Sequence, residues 1–528
     1  MQGEQNRMKL TLLTTSDIHG YLYPTDYRTK QLAAPFGLVR AAAVIKAERK
    51  AAPGPVLTIE TGDFLQGSPL AYYIARQKRP VAPENLTQAY NEINYDVQIL
   101  GNHEFNFGRS YLQQALASLT QPVLCANILT TAGKPAFGSA YKLFDCAGVT
   151  VAVLGLTTAH IPFWETPRHI QGLNFQSIVT TAKQYVPKLR QLADVVVVAY
   201  HGGFEADLKT GQPVGLINDE NEGYRLLGEV RGIDALVTGH QHRSLASHVL
   251  GVPIVQPGYR GSAVGKIQLN LATKPLVSVT ASAATLLPTA KQVSEPRLVT
   301  KMWSLQQEAE RWLDQPLGQV KGDMRIKNPN RARVVEAAYV EFIQRVQMTA
   351  VGADISATAL FNNESTGFGE QVTMRQVVTN YVYPNTVALV AINGAILRAA
   401  LEKSALFFAP LGKEKVGINA KFLHPKKQYY NYDMYEGIDY TINVARPKGQ
   451  RITRLEYHGR KVLPTDQLKI ALNGYRAGGG GNFTMFNPSL IEHEVQREMP
   501  ELIADYFKAH PVVTANVNHN FNVINEPD

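Results

Sequence analysis

Cysteine is almost missing: 528 residues contain two, Cys125 and Cys146. Both lie in apolar, strand-like surroundings (PVLCAN and LFDCAGV) and read as buried free thiols, so a disulfide framework is excluded by the count. Long apolar runs are missing too, and none approaches the roughly 18 residues that a membrane-spanning helix requires. Charge is sparse, 18% of residues, and only mildly one-sided, with 53 Lys+Arg against 44 Asp+Glu for a net +9. A bias that thin, with no basic run of five residues, argues against a nucleic-acid polymer as partner and stays compatible with a small anionic substrate. The opening MQGEQNR lacks the apolar stretch of a secretory signal, which reads as a cytoplasmic placement. The alternative is an extracytoplasmic protein whose signal has been removed.

What is present is too long for one hydrophobic core, and a length prior gives two to four domains. Alternating strand and helix patterns fill residues 8–285: strands near 9–15, 56–60, 97–100, 123–126, 149–154, 194–200 and 235–238, with helices at 36–50, 111–119, 178–192 and 222–230 between them. Ser110 reads as the cap of the second of these helices, and Pro187 as a kink or early stop in the third. An amphipathic helix over 295–313, bounded by Pro288, Pro296 and Pro316, reads as a connector. A second α/β domain follows over 316–525, with helices at 333–346, 374–381 and 395–406 and no metal-ligand cluster.

Five of the apolar runs stop at polar residues that bind metals or carry protons. Their ends read Asp17-x-His19, Gly62-Asp63, Gly101-Asn102-His103-Glu104, His201-Gly202-Gly203 and Gly239-His240-Gln241-His242. Asp17 and His19, two apart, would share a side in extended backbone. Glycine before Asp63 allows the close backbone approach that a crowded tip needs. The donors Asp17, His19, Asp63, Asn102, His201, His240 and His242 are too many for one ion of coordination four to six, but suit two divalent ions bridged by Asp63. Mixed nitrogen and oxygen donors favour Mn²⁺ or Zn²⁺, with Fe²⁺ or Co²⁺ next, over Mg²⁺ and Ca²⁺. Glu104 reads as a brace behind the ligands.

The ordered motifs resemble those of the calcineurin-like metallophosphoesterases. Over about 8–525 the chain resembles the two-domain 5′-nucleotidase family, which implies a four-layer α/β sandwich joined by a linker helix to an α/β C-terminal domain. That resemblance implies one metal on Asp17, His19, Asp63 and His242 and a second on Asp63, Asn102, His201 and His240. His103 would be the imidazole that stabilises the transition state or protonates the leaving oxygen. Typical 5′-nucleotidases partner this histidine with Asp, whereas here the partner is Asn106, an amide that orients a ring without balancing its charge. Their Gly-Gly-Gly-Ile-Arg stretch is absent as well, and Phe361-Asn362-Asn363-Glu364 stands in that region. The YPN and YNYD stretches and the NGYRAGGGG loop look similar to those of the 2′,3′-cyclic-nucleotide 2′-phosphodiesterase/3′-nucleotidases.

By the same resemblance Tyr383 and Tyr475 would sandwich a nucleobase, and Asn385, Gly479 and Asn482 would add amide and backbone contacts. Arg476 is left open between a phosphate contact and a salt bridge, and the YNYD tyrosines and Asp433 read as structural. All donors precede residue 243 and both stacking tyrosines follow residue 380, which leads us to expect that rotation about the linker helix controls access; the protein is expected to be a monomer. The expected activity is opening of 2′,3′-cyclic nucleotides to 3′-nucleotides, followed by hydrolysis to nucleoside and phosphate. A 5′-nucleotidase or nucleotide-sugar hydrolase is the nearest alternative. A nucleotide-binding protein without turnover is the alternative of another class.

Overall fold

Runs of β-branched and aliphatic residues build most of the structure. The computed structural model describes residues 7–214, 218–412, 415–424 and 426–526. The chain divides into two compact units, Met1–Ala309 and Glu310–Asp528, and the division falls within a helix over Pro296–Leu313.

The strands of the first unit that matter here are β1 (Arg7–Thr15), β2 (Val56–Glu60), β3 (Val97–Ile99) and β4 (Val123–Leu124). They are followed by β5 (Tyr141–Cys146), β6 (Val149–Thr157), β7 (Val195–His201) and β8 (Ala235–Thr238). Last come β9 (Ser244–Val249), β10 (Val252–Pro257), β11 (Ala263–Ala272) and β12 (Ser278–Pro288). They form two six-stranded sheets, ordered β12-β11-β1-β2-β3-β4 and β9-β10-β8-β7-β6-β5. Strands β1 to β4 run parallel, as do β6, β7, β8 and β10, while β11, β12, β9 and β5 are antiparallel.

Strand β7 shows why the sheets stack. Val195, Val197 and Ala199 join Leu12, Ile59 and Ile99 in the core between the sheets. The alternate residues, Val196, Val198 and Tyr200, face outward into a second core with Ile178, Ala182, Val186 and Leu189. Those four lie on one face of a helix over Ile178–Leu192, at helical spacing. Burial on both faces is what a near-continuous valine run predicts.

Some sequence expectations fail at the helices. The third helix is neither stopped nor shortened by Pro187, which is exposed, as is Lys183, whose carbonyl loses its partner to solvent. The helix expected from Ser110 starts instead at Arg109, capped by Gly108 at φ 88°, and Ser110 lies in its first turn. The helix expected over 333–346 runs over Ala338–Val351, because a short helix over Pro329–Ala332 and a break precede it. Both cysteines are buried and free.

In the second unit a mixed sheet is built from β13 (Ile355–Ala359), β14 (Val387–Asn393), β15 (Asp433–Glu436), β16 (Gln467–Asn473) and β17 (Ile491–Val495), in the order β15-β13-β16-β14-β17. The helices over Met374–Asn380 and Gly394–Ala405 match the sequence pattern within a residue. Among the described residues no helix is long and apolar enough to cross a membrane.

Candidate metal centre

Parallel strands end on one edge, so the polar residues just past β1, β2, β3, β7 and β8 are brought together there. Two donor groups result, Asp17 with His19 and His242, and Asp63 with His201 and His240; within each, the potential ligand atoms lie within 4.8 Å of one another. Asp63 Oδ2 stands between them, 3.3 Å from His201 Nε2 and 3.8 Å from His19 Nε2. Asn102 Oδ1 is 2.9 Å from His240 Nδ1 and 3.3 Å from His201 Nε2. All seven donors read from the sequence therefore meet.

Second contacts aim the rings. His19 Nδ1 is 2.7 Å from the Gln66 carbonyl and His201 Nδ1 2.7 Å from that of Thr61. A carbonyl only accepts, so each Nδ1 carries a proton and each Nε2 is turned into the centre, the orientation that metal-binding imidazoles require. His240 is turned the other way: its Nε2 is 3.0 Å from Glu220 Oε1, which directs Nδ1 inward. His19 Nε2 and His242 Nε2 approach to 3.0 Å, and His242 Nε2 also lies 3.4 Å from Asp17 Oδ1, so the three groups converge on one point where a cation could sit. The donor set thus fits two divalent ions.

The backbone is strained where the donors sit. Asp17, His19, Asp63, His240 and His242 all have positive φ, between 52° and 69°, a region non-glycine residues rarely enter and one that clusters at functional sites. This corrects the expectation of extended backbone between Asp17 and His19: left-handed turns, not a strand period, bring the two together. Packing is tight beside Asp63, since a Cβ on Gly101 would collide with its carboxylate.

Glu104 braces the centre, as its sequence position suggested. Its fully buried carboxylate accepts from four backbone N–H groups: Asp63 at 2.8 Å, Gly101, Phe64 at 2.7 Å and Leu65 at 3.1 Å. Burial, with Asp63 beside it, pushes Glu104 up to about 7 against these donors. Burial also drives His19 down to about 3, keeping its lone pair available. For Asp17 burial is outweighed by its hydrogen bond to His242 and by the charges of His242 and His201, which hold it near 2.

His103 stands beside the donors. Its backbone N–H donates to Asp63 Oδ1 at 2.8 Å, its ring meets that of His19 edge to face at 5.2 Å, and its ring Nδ1 is 2.7 Å from Asn106 Oδ1. Residues that sequence reasoning missed complete the surroundings. Trp164 stacks on His240 at 5.4 Å, Tyr259 stacks on His242 at 4.9 Å, and Glu165 lies behind Asn106. They sit on loops, where no period marks them.

In the second unit β14 and β16 pair antiparallel with Val387 opposite Asn473. Tyr383 and Asn385 precede the one strand and Tyr475, Gly479 and Asn482 follow the other, so all five leave the sheet at the same end. Tyr383 packs edge to face on Phe361 at 5.1 Å, and Tyr475 lies so close over Gly480 that a Cβ there would meet its ring at 2.6 Å. Asn482 is exposed. Arg476 forms the salt bridge: Nε is 2.5 Å and Nη2 3.1 Å from the two oxygens of buried Asp433. Tyr432 is core, stacked on Phe407 at 5.2 Å. The expectation that this domain lacks a ligand cluster is corrected, because Glu336, Glu341 and Glu436 bring carboxylate oxygens within 4.8 Å of one another. Their separation in sequence hid the grouping.

Two stacked sheets with an Asp/Asn/His centre on their common edge define a metallophosphoesterase. The model for calcineurin-like phosphoesterases matches residues 10–244, and that for the 5′-nucleotidase C-terminal domain matches 316–488. A crystal structure of a putative 5′-nucleotidase from Staphylococcus aureus is 37% identical, covers 98% of this chain and 100% of its own, and superposes with a TM-score of 0.91. The 2′,3′-cyclic-nucleotide 2′-phosphodiesterase/3′-nucleotidase of Salmonella typhimurium is 29% identical over 89% of this chain and 81% of its own. The trifunctional nucleotide phosphoesterase of Bacillus subtilis is 27% identical over 98% of this chain, which spans 39% of that longer protein. The chain belongs to the 5′-nucleotidase family of calcineurin-like metallophosphoesterases, hydrolases that use divalent metal ions.

Proposed function

We propose that the protein adds water across the P–O2′ bond of 2′,3′-cyclic nucleotides to give 3′-nucleotides, and then hydrolyses these to nucleoside and phosphate. The observation that carries the reading is the chemistry at position 106. His103 is held by the amide of Asn106, not by a carboxylate, and this departure, together with Phe361-Asn362-Asn363-Glu364 in place of Gly-Gly-Gly-Ile-Arg, is the pattern that resembles the cyclic and 3′-specific branch. Relatives named for that activity support it.

In this reading Asp17, His19, Asp63 and His242 hold one divalent ion, and Asp63, Asn102, His201 and His240 the other. Bound there, two ions supply Lewis acidity to the phosphoryl oxygens and a water activated at neutral pH. The protein's own groups do the rest. His103 stabilises charge on the phosphoryl group or gives its Nε2 proton to the departing ribose oxygen, while Asn106 fixes the ring. Tyr383 and Tyr475 stack on the base, with Asn385, Gly479 and Asn482 adding polar contacts. Because stacking is indifferent to base identity, specificity resides in the position of the phosphate.

The test is a turnover panel of purified protein with Mn²⁺ on 2′,3′-cAMP, 3′-AMP and 5′-AMP. Preference for the first two is expected. Preference for 5′-AMP would sink the reading in favour of a 5′-nucleotidase, the alternative supported by the name of the Staphylococcus aureus relative.

A further inference from the structure

We propose that Glu165 is a positioning residue for His103, acting through Asn106. The inference deepens the proposed function and rests on its assignment of a proton-donating role to His103. Nothing in the local sequence FWETPRHI marks Glu165, yet it is buried at 9% exposure and its carboxylate ends a short chain of hydrogen bonds. Asn106 Nδ2 donates to Glu165 Oε2 at 2.8 Å, and Asn106 Oδ1 is 2.7 Å from His103 Nδ1. The other oxygen, Oε1, accepts from the Thr166 N–H at 2.8 Å and lies 2.8 Å from His169 Nδ1.

The direction of this chain follows from the donor inventory. A carboxylate only accepts, so the amide nitrogen of Asn106 must face Glu165 and its amide oxygen must face His103. His103 Nδ1 therefore carries a proton, and Nε2 is the nitrogen that exchanges one with the substrate. In the leaving-group step the P–O2′ bond breaks, the Nε2 proton of the imidazolium passes to O2′, and the ring becomes a neutral imidazole whose Nδ1 proton stays hydrogen-bonded to Asn106. The oxygen of the attacking water forms the new P–O bond, and the proton that it releases restores Nε2. Glu165 thus supplies, one residue further out, the negative end that an amide at position 106 lacks.

Glu165→Gln reverses the chain. Thr166 N–H and His169 draw the glutamine oxygen to their side, which turns its NH₂ group toward Asn106. Asn106 must then flip to accept, and its own NH₂ donates to His103 Nδ1, forcing the other tautomer. The expected result with 2′,3′-cAMP is a fall in kcat of about 100-fold, the low end of general acid–base contributions, with KM held within about twofold. Bis(p-nitrophenyl) phosphate, whose leaving group needs no proton, should lose about threefold or less. Asn106→Asp combined with Glu165→Gln puts a carboxylate directly on Nδ1 and should recover most of the rate, whereas Asn106→Asp alone sets two carboxylates against each other and should not.

A readout independent of turnover is the ¹⁵N imidazole spectrum of metal-free protein labelled at histidine, with His103 assigned by His103→Gln. The proton is expected on Nδ1 in the native chain and on Nε2 in Glu165→Gln. Protonation on Nε2 alone in the native protein, equal losses on both substrates, or no rescue in the double variant would overturn the relay. If the native enzyme turned over none of the cyclic or 3′ substrates the proposed function would fall, and the spectrum would still decide whether Glu165 sets the tautomer.

Discussion

Glu104→Gln should separate the two loops that carry Asp63 and Asn102. The native carboxylate receives two N–H groups on each oxygen, Asp63 and Gly101 on Oε2, Phe64 and Leu65 on Oε1. Glutamine keeps one oxygen, so one pair of donors meets an NH₂ group instead. Hydrogen bonds to a charged group contribute about 1.5 to 3 kcal/mol each, which puts the loss of two at about 3 to 6 kcal/mol. The cost falls on the turn that fixes the bridging carboxylate of Asp63, and removing supports of this kind lowers metal affinity by about 10- to 100-fold. Titration of Mn²⁺ into chelator-treated protein measures the affinity. Amide exchange across residues 61–66 and 100–106 reads the loosening directly. An Mn²⁺ affinity within about twofold of the native protein, with unchanged exchange in both segments, would refute the argument.

Tyr383→Ala and Tyr475→Ala should each raise KM for 2′,3′-cAMP by about 5- to 150-fold, the equivalent of about 1 to 3 kcal/mol of stacking, while leaving hydrolysis of a base-free phosphodiester unchanged; equal losses on both substrates would contradict a stacking role. In the second unit, burial and the neighbouring Glu341 and Glu436 push Glu336 up to about 7. Its folded-state value lies above its unfolded value, so the native state retains a proton that the unfolded chain gives up, and stability should decline as pH rises from about 4.5 to 7. Arg345 pairs with Glu341, and the His519 N–H and Asn518 side chain donate to Glu336 and Glu436, so these partners moderate the decline without reversing it. Glu336→Gln should flatten that slope in urea unfolding monitored between pH 4.5 and 8; an unchanged slope would remove Glu336 from the account.

The seven donors were legible because each follows an apolar run, and parallel strands must end on one edge. Strand β7 shows the same logic, since its valine run announces burial on both faces before any neighbour is known. What the sequence did not disclose depends on tertiary closure. Glu165 and Glu220 reach their partners across 59 and 20 residues of chain, from loops without periodicity. Left-handed backbone at five donors is equally invisible, because Asp and His tolerate that region without announcing it. Arg333 misled the helix boundary. It has a good helix-forming side chain, yet it is fully buried, with Nη1 and Nη2 donating to the carbonyls of Pro329, Leu360 and Asn362 and to the Asn363 side chain, ahead of the helix and not within it.

Strain and electrostatics at the centre lead to one more expectation, for removal of the metal ions. Five non-glycine donors held at positive φ, with His19 and His242 Nε2 crowded to 3.0 Å beside the Asp17 carboxylate, are arrangements an isolated chain would relax. Cations that bind the folded centre and not the unfolded chain stabilise by mass action, about 2.7 kcal/mol for each site at a hundred times its dissociation constant. Two such sites give about 5 kcal/mol, and at about 2 °C per kcal/mol for a unit of this size the melting temperature should fall by about 10 °C on chelation. Scanning calorimetry with chelator, and then with Mn²⁺ restored, measures the shift. The loss should belong to the transition of the N-terminal unit alone, because all seven donors lie within it. A melting temperature indifferent to chelator would mean that the left-handed donors are held by packing alone, as the tight fit of Gly101 against Asp63 could achieve, and that the ions contribute to catalysis without supporting the fold.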